Sequence, residues 1–256
     1  MTQVSSHEPG SFCWVELSTS DAKSAREFYK SLFGWTVNEM PMGDQGIYYM
    51  FQKKGKDAAA MYEQMAQEKS EGIPPHWNNY VAVTSADASA QKAKSLGGKV
   101  LAGPFDVFDA GRMAFVQDPQ GAMLAVWQAK RHIGVGIRDE PGTLTWNELL
   151  TSDIEGARKF YSALFGWNLK TSPEYTEIHV GERAYGGMMQ IRPDMRGMPS
   201  NWAPYFAVDD TDAIAKKAQS SGGSVFMQPT DIPNVGRFAV IGDPQRAMFS
   251  VIKVQM

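Results

Sequence analysis

Two glutamates occupy the same position relative to a tryptophan: Glu16 lies two residues after Trp14, and Glu148 two residues after Trp146. Side chains along a strand alternate between faces, so each Trp–Glu pair shares one face. A carboxylate set on an apolar, aromatic wall is poorly solvated; its pKa rises and it becomes able to act as a general base or a ligand anchor. The competing use is an ion pair, with Arg112 or Arg26 for Glu16 and Arg237 or Arg158 for Glu148. Arg112 and Arg237 each follow a glycine at the start of a strand. Either they clamp an anionic ligand bidentately, or they brace a hairpin against Asp106 and Asp231. Trp77, Tyr80 and Trp127, with Trp202 and Tyr205 later in the chain, are candidates to line a concave site for a small organic molecule together with Trp14 and Trp146. Core filling is the alternative for each of them.

The four histidines offer little. His7 falls in the N-terminal tail and His132 between two blocks of the chain. His76 precedes the strand bearing Tyr80, and its later counterpart is Asn201. His179 stands roughly where the first half has Gln52, and a metal site built from Glu148 and His179 would lack a fixed third ligand. Cys13 alternates with Trp14 and so points away from their common face, as a packing residue. No glycine-rich phosphate loop, nucleophile elbow or Cys/His cluster is present.

The elements that must position these residues are written twice. Trp14 to Trp35 recurs as Trp146 to Trp167 (146 − 14 and 167 − 35 both give 132), with Phe28-Tyr29 and Leu32-Phe33-Gly34-Trp35 repeated as Phe160-Tyr161 and Leu164-Phe165-Gly166-Trp167. A second block, Trp77 to Gln120, recurs as Trp202 to Gln245 (202 − 77 and 243 − 118 both give 125). The first copy therefore holds seven extra residues between the blocks. So long a period means a duplicated domain rather than a solenoid. Each block reads as strand, then helix, then strands. Phe12 to Leu17 is aromatic and β-branched; Thr19-Ser20-Asp21 supplies N-cap oxygens; Ala22, Ala25, Phe28 and Leu32 keep helical spacing; Gly34 closes the helix. Ala86 to Leu96 is the second helix, ended by Gly97-Gly98, and Arg112–Gln117 and Met123–Gln128 pair across the Asp118-Pro119-Gln120-Gly121 turn. Arg246 replaces the turn glycine in the second copy, which implies either a different turn or a strained backbone. Glu63–Pro75 and Arg192–Pro199 read as loops. The domains are expected at 10–130 and 142–254, with 131–141 as linker.

The 256 residues, 43% apolar, suffice for two self-sustaining cores. A net charge of −3 and a pI near 5.8 leave no basic surface for nucleic acid. One cysteine forms no internal disulfide, which fits a reducing compartment, and no run of apolar residues is long enough for a membrane span. A polar N-terminus without an apolar core reads as no signal peptide. The expectation is a cytoplasmic protein, monomer or homodimer, with a small-molecule ligand.

Taken together, the capped strand–helix block, Phe28 to Trp35, the Gly-Gly helix end, and Gly111-Arg112 with Asp118-Pro119 resemble the vicinal oxygen chelate superfamily of glyoxalases, extradiol dioxygenases and bleomycin-resistance proteins. The resemblance covers about Gly10 to Lys253. It implies an α+β fold of four βαβββ modules forming two glyoxalase-like domains with cup-shaped mixed sheets. Catalytic members of that group hold a divalent metal through His, Gln and Glu on the opening and closing strands. The matching positions here are Trp14, Tyr80 and Ala125 in one copy and Trp146, Tyr205 and Ser250 in the other, none of them an ordinary metal ligand. Three functions remain open: an aromatic binding cup, with or without metal-independent catalysis by Glu16 and Glu148; a metal-dependent lyase or dioxygenase relocated onto Glu16, Glu148, His179 or His76; and an interaction module whose former cavity is filled by Trp14 and Trp146.

Overall fold

A computed structural model describes residues 2–195 and 197–255. Four βαβββ modules follow one another. The first is β2 (Phe12–Thr19), α1 (Ala22–Phe33), β3 (Thr36–Pro41), β4 (Ile47–Lys53) and β5 (Lys56–Glu63), preceded by the short β1 (Thr2–Gln3). A short helix, α2 (Ala66–Ser70), leads to the second: β6 (His76–Ala82), α3 (Ala86–Ser95), β7 (Lys99–Val107), β8 (Gly111–Gln117) and β9 (Met123–Ala129). After β10 (Ile137–Arg138) come β11 (Leu144–Thr151), α4 (Ile154–Phe165), β12 (Asn168–Thr171), β13 (Thr176–Val180) and β14 (Arg183–Gln190). The last module is β15 (Asn201–Ala207), α5 (Thr211–Ser220), β16 (Ser224–Ile232), β17 (Gly236–Gly242) and β18 (Met248–Val254). Modules one and two share an open eight-stranded sheet in the order β3-β4-β5-β2-β6-β9-β8-β7; modules three and four repeat it as β12-β13-β14-β11-β15-β18-β17-β16. The fold is thus α+β with two glyoxalase-like domains, as the resemblance implied. Among the described residues no helix is long and apolar enough to cross a membrane.

Local chemistry explains the repeated elements. Asp21 Oδ1 accepts the Ser24 N–H at 3.0 Å to open α1, and Gly34 closes it in the left-handed region, φ 66°. Asp153 and Gly166 do the same for α4. The stretch Glu63–Pro75 is not wholly loop: Glu68 accepts the Met65 N–H and lets the single-turn α2 form. The linker is not free either. β10 pairs with β1, and Arg138, 1% exposed, donates to the carbonyls of Phe12 and Thr145 and lies over the Tyr185 ring.

The sheets meet through their helix-bearing faces, and modules pack across copies. Helix α1 packs with the Phe206, Ile241 and Phe249 side of the fourth module, and α4 with the Ala114, Val116 and Leu124 side of the second. Tyr29 Oη donates to Asp243 at 3.1 Å, and Tyr161 Oη to Asp118 at 2.9 Å. Trp35 Nε1 donates to Gly142 O and Trp167 Nε1 to Gly10 O, at 2.7 and 2.6 Å. Each copy lends the other its aromatic helix end in exchange for its Asp-Pro turn. This settles the role of the repeated Phe-Tyr and Asp-Pro signatures: they fasten domain to domain.

At the second of those turns Arg246 does carry a left-handed backbone, φ 70°, where Gly121 has φ 97°. Left-handed geometry costs a side-chain-bearing residue about 1–2 kcal/mol, partly offset by the entropy a glycine loses on folding. Arg246→Gly is therefore expected to stabilise the fold by about 0.5–1 kcal/mol, read as a higher urea midpoint; a lower midpoint would refute the strain.

Candidate functional site

Cross-strand register gathers the chemistry on the concave face of the first sheet. Trp14 lies opposite Tyr80, Tyr80 opposite Ala125, and Glu16 opposite Asn78 and Ala60. The Glu16 carboxylate, 8% exposed, accepts from Tyr48 Oη at 2.6 Å on one oxygen and from Tyr80 Oη at 2.9 Å on the other. Trp14 Nε1 donates to the Tyr48 hydroxyl at 3.3 Å. Burial raises the Glu16 pKa, with the two tyrosine hydrogen bonds acting in the opposite direction. Burial, and then the neighbouring Glu16 charge, pushes both phenols well above their ordinary range, so they remain donors. In front of this group opens a cavity of about 420 Å³, walled by Met42, Ile47, Met65, Met113 and Phe115.

The second sheet repeats the constellation. Glu148 accepts from Tyr175 at 2.8 Å and Tyr205 at 2.7 Å, and Trp146 Nε1 donates to Tyr175 at 2.9 Å. Burial raises its pKa likewise. Gly187 makes room for this: a Cβ there would lie 2.1 Å from the Tyr175 hydroxyl.

Several expected site residues lie elsewhere. Trp77 and Trp202 sit three positions before Tyr80 and Tyr205, so strand alternation turns them to the opposite, interdomain face; their indoles donate to Tyr29 at 3.1 Å and Tyr161 at 2.9 Å. Arg112 is not in the cup: it forks onto Asp87 of α3 at 2.6 and 2.9 Å and reaches Asp106 at 3.4 Å. Arg237 does the same with Asp212 and Asp231. Arg26 pairs with Glu39 and Arg158 with Glu155, so none of the four arginines answers Glu16 or Glu148. Trp127 does face the concave side, with its ring edge-on to Tyr80 and its indole N–H on His132 O at 2.8 Å, but it lines a smaller neighbouring cleft with His7. His132 packs edge-on to Trp14, with ring centroids 4.6 Å apart. Cys13 is fully buried and packs in the core. The tyrosines that complete each group, Tyr48 and Tyr175, were the residues the sequence reading missed. Both lie at the start of the third strand of their modules, Tyr48 as the second residue of β4 and Tyr175 just before β13, and alignment of the copies there matches them.

The donors do not fit a divalent metal. Trp14 and Ala125 have no lone pair to offer, both Glu16 oxygens already accept phenol protons, and His76 Nε2 and His179 Nε2 lie against Asn78 and Glu177 at 3.2 and 2.9 Å, while the buried His179 Nδ1 has no partner among the described residues. Among the described residues no three His, Cys, Asp or Glu side chains converge.

Four βαβββ modules paired into two open cups define a tandem glyoxalase-like protein. The family model for the Glyoxalase/Bleomycin resistance protein/Dioxygenase superfamily matches residues 11–126 and again 143–251, and the chain belongs to that superfamily. It is 45% identical over 259 residues to CFP32 of Mycobacterium tuberculosis (strain CDC 1551 / Oshkosh), whose name proposes a glyoxylase; 99% of this chain and 98% of that one are covered. It is 34% identical to the anthracycline biosynthesis protein DnrV of Streptomyces peucetius, covering 96% and 94%. Among solved structures, the 2,3-dioxygenase LapB from Pseudomonas sp. KL28 superposes with TM-score 0.67 at 13% identity, covering 98% of this chain and 94% of that one. The Mn(II)-bound glyoxalase from Novosphingobium aromaticivorans gives 0.66 at 12%, covering 96% and 82%. At such identities these two share the fold alone.

Proposed function

We propose that the first domain binds a small organic molecule in its cup, anchored by Glu16 and its two tyrosines, without a metal. The observation that carries this is a buried, tyrosine-held carboxylate at the back of an open cavity whose walls are mainly methionine, isoleucine and aromatic, with Gln67, Glu68 and Glu71 as the further polar lining. Apolar walls with a few convergent polar groups suit drug-sized ligands. Mobile methionines let one wall adapt to different shapes. The name of the streptomycete relative, which ties it to anthracycline biosynthesis, agrees with a flat apolar ligand. Where a bound molecule presents an acidic proton, Glu16 is the group placed to accept it, because burial has raised its basicity. Glu148, set in the same way, is the matching group of the second domain.

Trp14 forms part of this hydrogen-bonded group, so occupancy should change its fluorescence. A screen of flat, apolar small molecules is expected to quench the intact protein and to lose the response in Ala102→Trp, which fills the cavity from its exposed rim. A screen without response, or one unaltered by Ala102→Trp, would count against a binding cup.

A further inference from the structure

The two cups are unequal, and the difference has a chemical sense. The seven residues by which the first copy is longer fall in two loops. Tyr48 lies thirteen residues after Trp35, whereas Tyr175 lies eight after Trp167; Trp77 lies sixteen after Met61, against fourteen for Trp202 after Met188. These loops bear Met42 and Ile47 on one side of the first cavity, and Met65, Glu68 and Glu71 on the other. The first rim is thus longer by five residues on one side and two on the other, and its second side carries Glu68 and Glu71.

Three carboxylates, those of Glu16, Glu68 and Glu71, line the cavity, and among the described lining residues there is no lysine, arginine or histidine. The groups that hydrogen-bond to them are neutral donors. Glu16 is held by Tyr48 and Tyr80, Glu68 by Tyr62 at 3.0 Å, Ser18 at 3.3 Å and the Met65 N–H, and Glu71 by Gln67 at 2.9 Å. Glu148 of the second sheet is likewise held by two tyrosines, but the first cup adds Glu68 and Glu71 beside its buried glutamate. Only Glu16 of the three is buried, Glu68 being half-buried and Glu71 exposed, and a buried carboxylate without a counter-ion is unfavourable unless it takes up a proton or something else supplies the charge. The surroundings suit such a supplier, since the rings of Tyr48, Tyr62, Tyr80 and Phe115 and the sulfurs of Met42, Met65 and Met113 border the same space. Aromatic rings attract organic cations through their faces, and methionine adapts to apolar bodies.

We propose that the cup of the first domain selects a hydrophobic organic cation, an amine or quaternary ammonium on an aromatic or alkyl body, with its charge held by Glu16 and Glu68 and its body against the methionine and phenylalanine wall. The assignment rests on the binding-cup reading and narrows it to one charge class.

The test is calorimetric titration of the full-length protein with three probes of one skeleton: biphenyl-4-ylmethyl-trimethylammonium, uncharged biphenyl-4-ylmethanol and biphenyl-4-ylacetate. The cation is expected to bind at least about tenfold more tightly than the alcohol, with the acetate weakest. Glu16→Gln should narrow the preference for cation over alcohol, and so should Glu68→Gln, which lies at the cup's edge and serves if the first variant folds poorly. Alcohol or acetate binding as tightly as the cation, or a preference unmoved by both variants, would overturn the charge assignment and leave the cup standing. Failure of all three probes to bind would overturn the cup as well.

Discussion

Tyr161→Phe is expected to destabilise the protein by about 1–3 kcal/mol, and Tyr29→Phe by a similar amount, because each deletion orphans buried polar partners. The Tyr161 hydroxyl both donates to Asp118 at 2.9 Å and accepts from Trp202 Nε1 at 2.9 Å, and Tyr29 stands in the same way between Asp243 and Trp77. Removing one oxygen therefore leaves an indole N–H and a carboxylate oxygen unpaired at the seam between domains. The two relays share no partner, so the double variant should lose close to the sum of the single losses. Urea midpoints of the four proteins give the answer. A Tyr161→Phe protein as stable as the parent would show that the relay is dispensable. Neither tyrosine touches the Glu16 cup, so affinity for a cup ligand in native buffer should be unchanged.

The carboxyls of the same seam should contribute more stability in mild acid than at neutral pH. Burial pushes the Asp243 carboxyl up to about 6, against the pull of the Ala247 N–H and the Tyr29 hydroxyl, and raises Asp118 for the same first cause. An aspartate in the unfolded chain titrates near 3.9, so the folded state binds this proton more tightly than the unfolded one. The stabilisation from that proton is complete below about pH 4 and is lost as pH rises through about 6; a gap of roughly two units corresponds to about 3 kcal/mol. Glu16 and Glu148 are raised too and act with the same sign. The exposed aspartates paired with Arg112 and Arg237 are lowered instead, so their contribution is lost only at more acid pH. His7 and His132 are lowered by burial and act with the opposite sign over the same range, so the Asp243 share is read by difference: going from pH 5 to pH 7.5 should cost the parent more stability than it costs Asp243→Asn, as urea midpoints will show. An equal change with pH in the parent and in Asp243→Asn would contradict the assignment.

The concave and convex faces show how far alternation carries a reading. Applied to Trp14 and Glu16 it placed both on one face, and the structure agrees. Applied with equal rigour to Trp77 and Tyr80, an odd spacing, it would have parted them, and the structure does so. Treating every repeated tryptophan as cup lining overlooked that repetition preserves domain-to-domain fastening as readily as a binding site. For Arg112 and Arg237, sequence left clamp and brace equally open; the brace is formed because Asp87 and Asp212 lie in the first turns of α3 and α5, on the helix side of the sheet.

What the sequence determined by itself was whatever depends on neighbours along the chain or on comparison of its two copies: the duplication, the caps of α1 and α4, the strand faces, and the substitution of Trp14, Tyr80 and Ala125 at the family's metal positions. Tertiary structure alone decided which distant groups meet. Tyr29 and Asp243 are 214 residues apart. Both oxygens of Glu16 are claimed by tyrosines from two other strands, and a single-turn helix brings Glu68 to the rim of the cup. Such contacts follow from how two curved sheets pack and how their strands are ordered, and local propensity has no term for either.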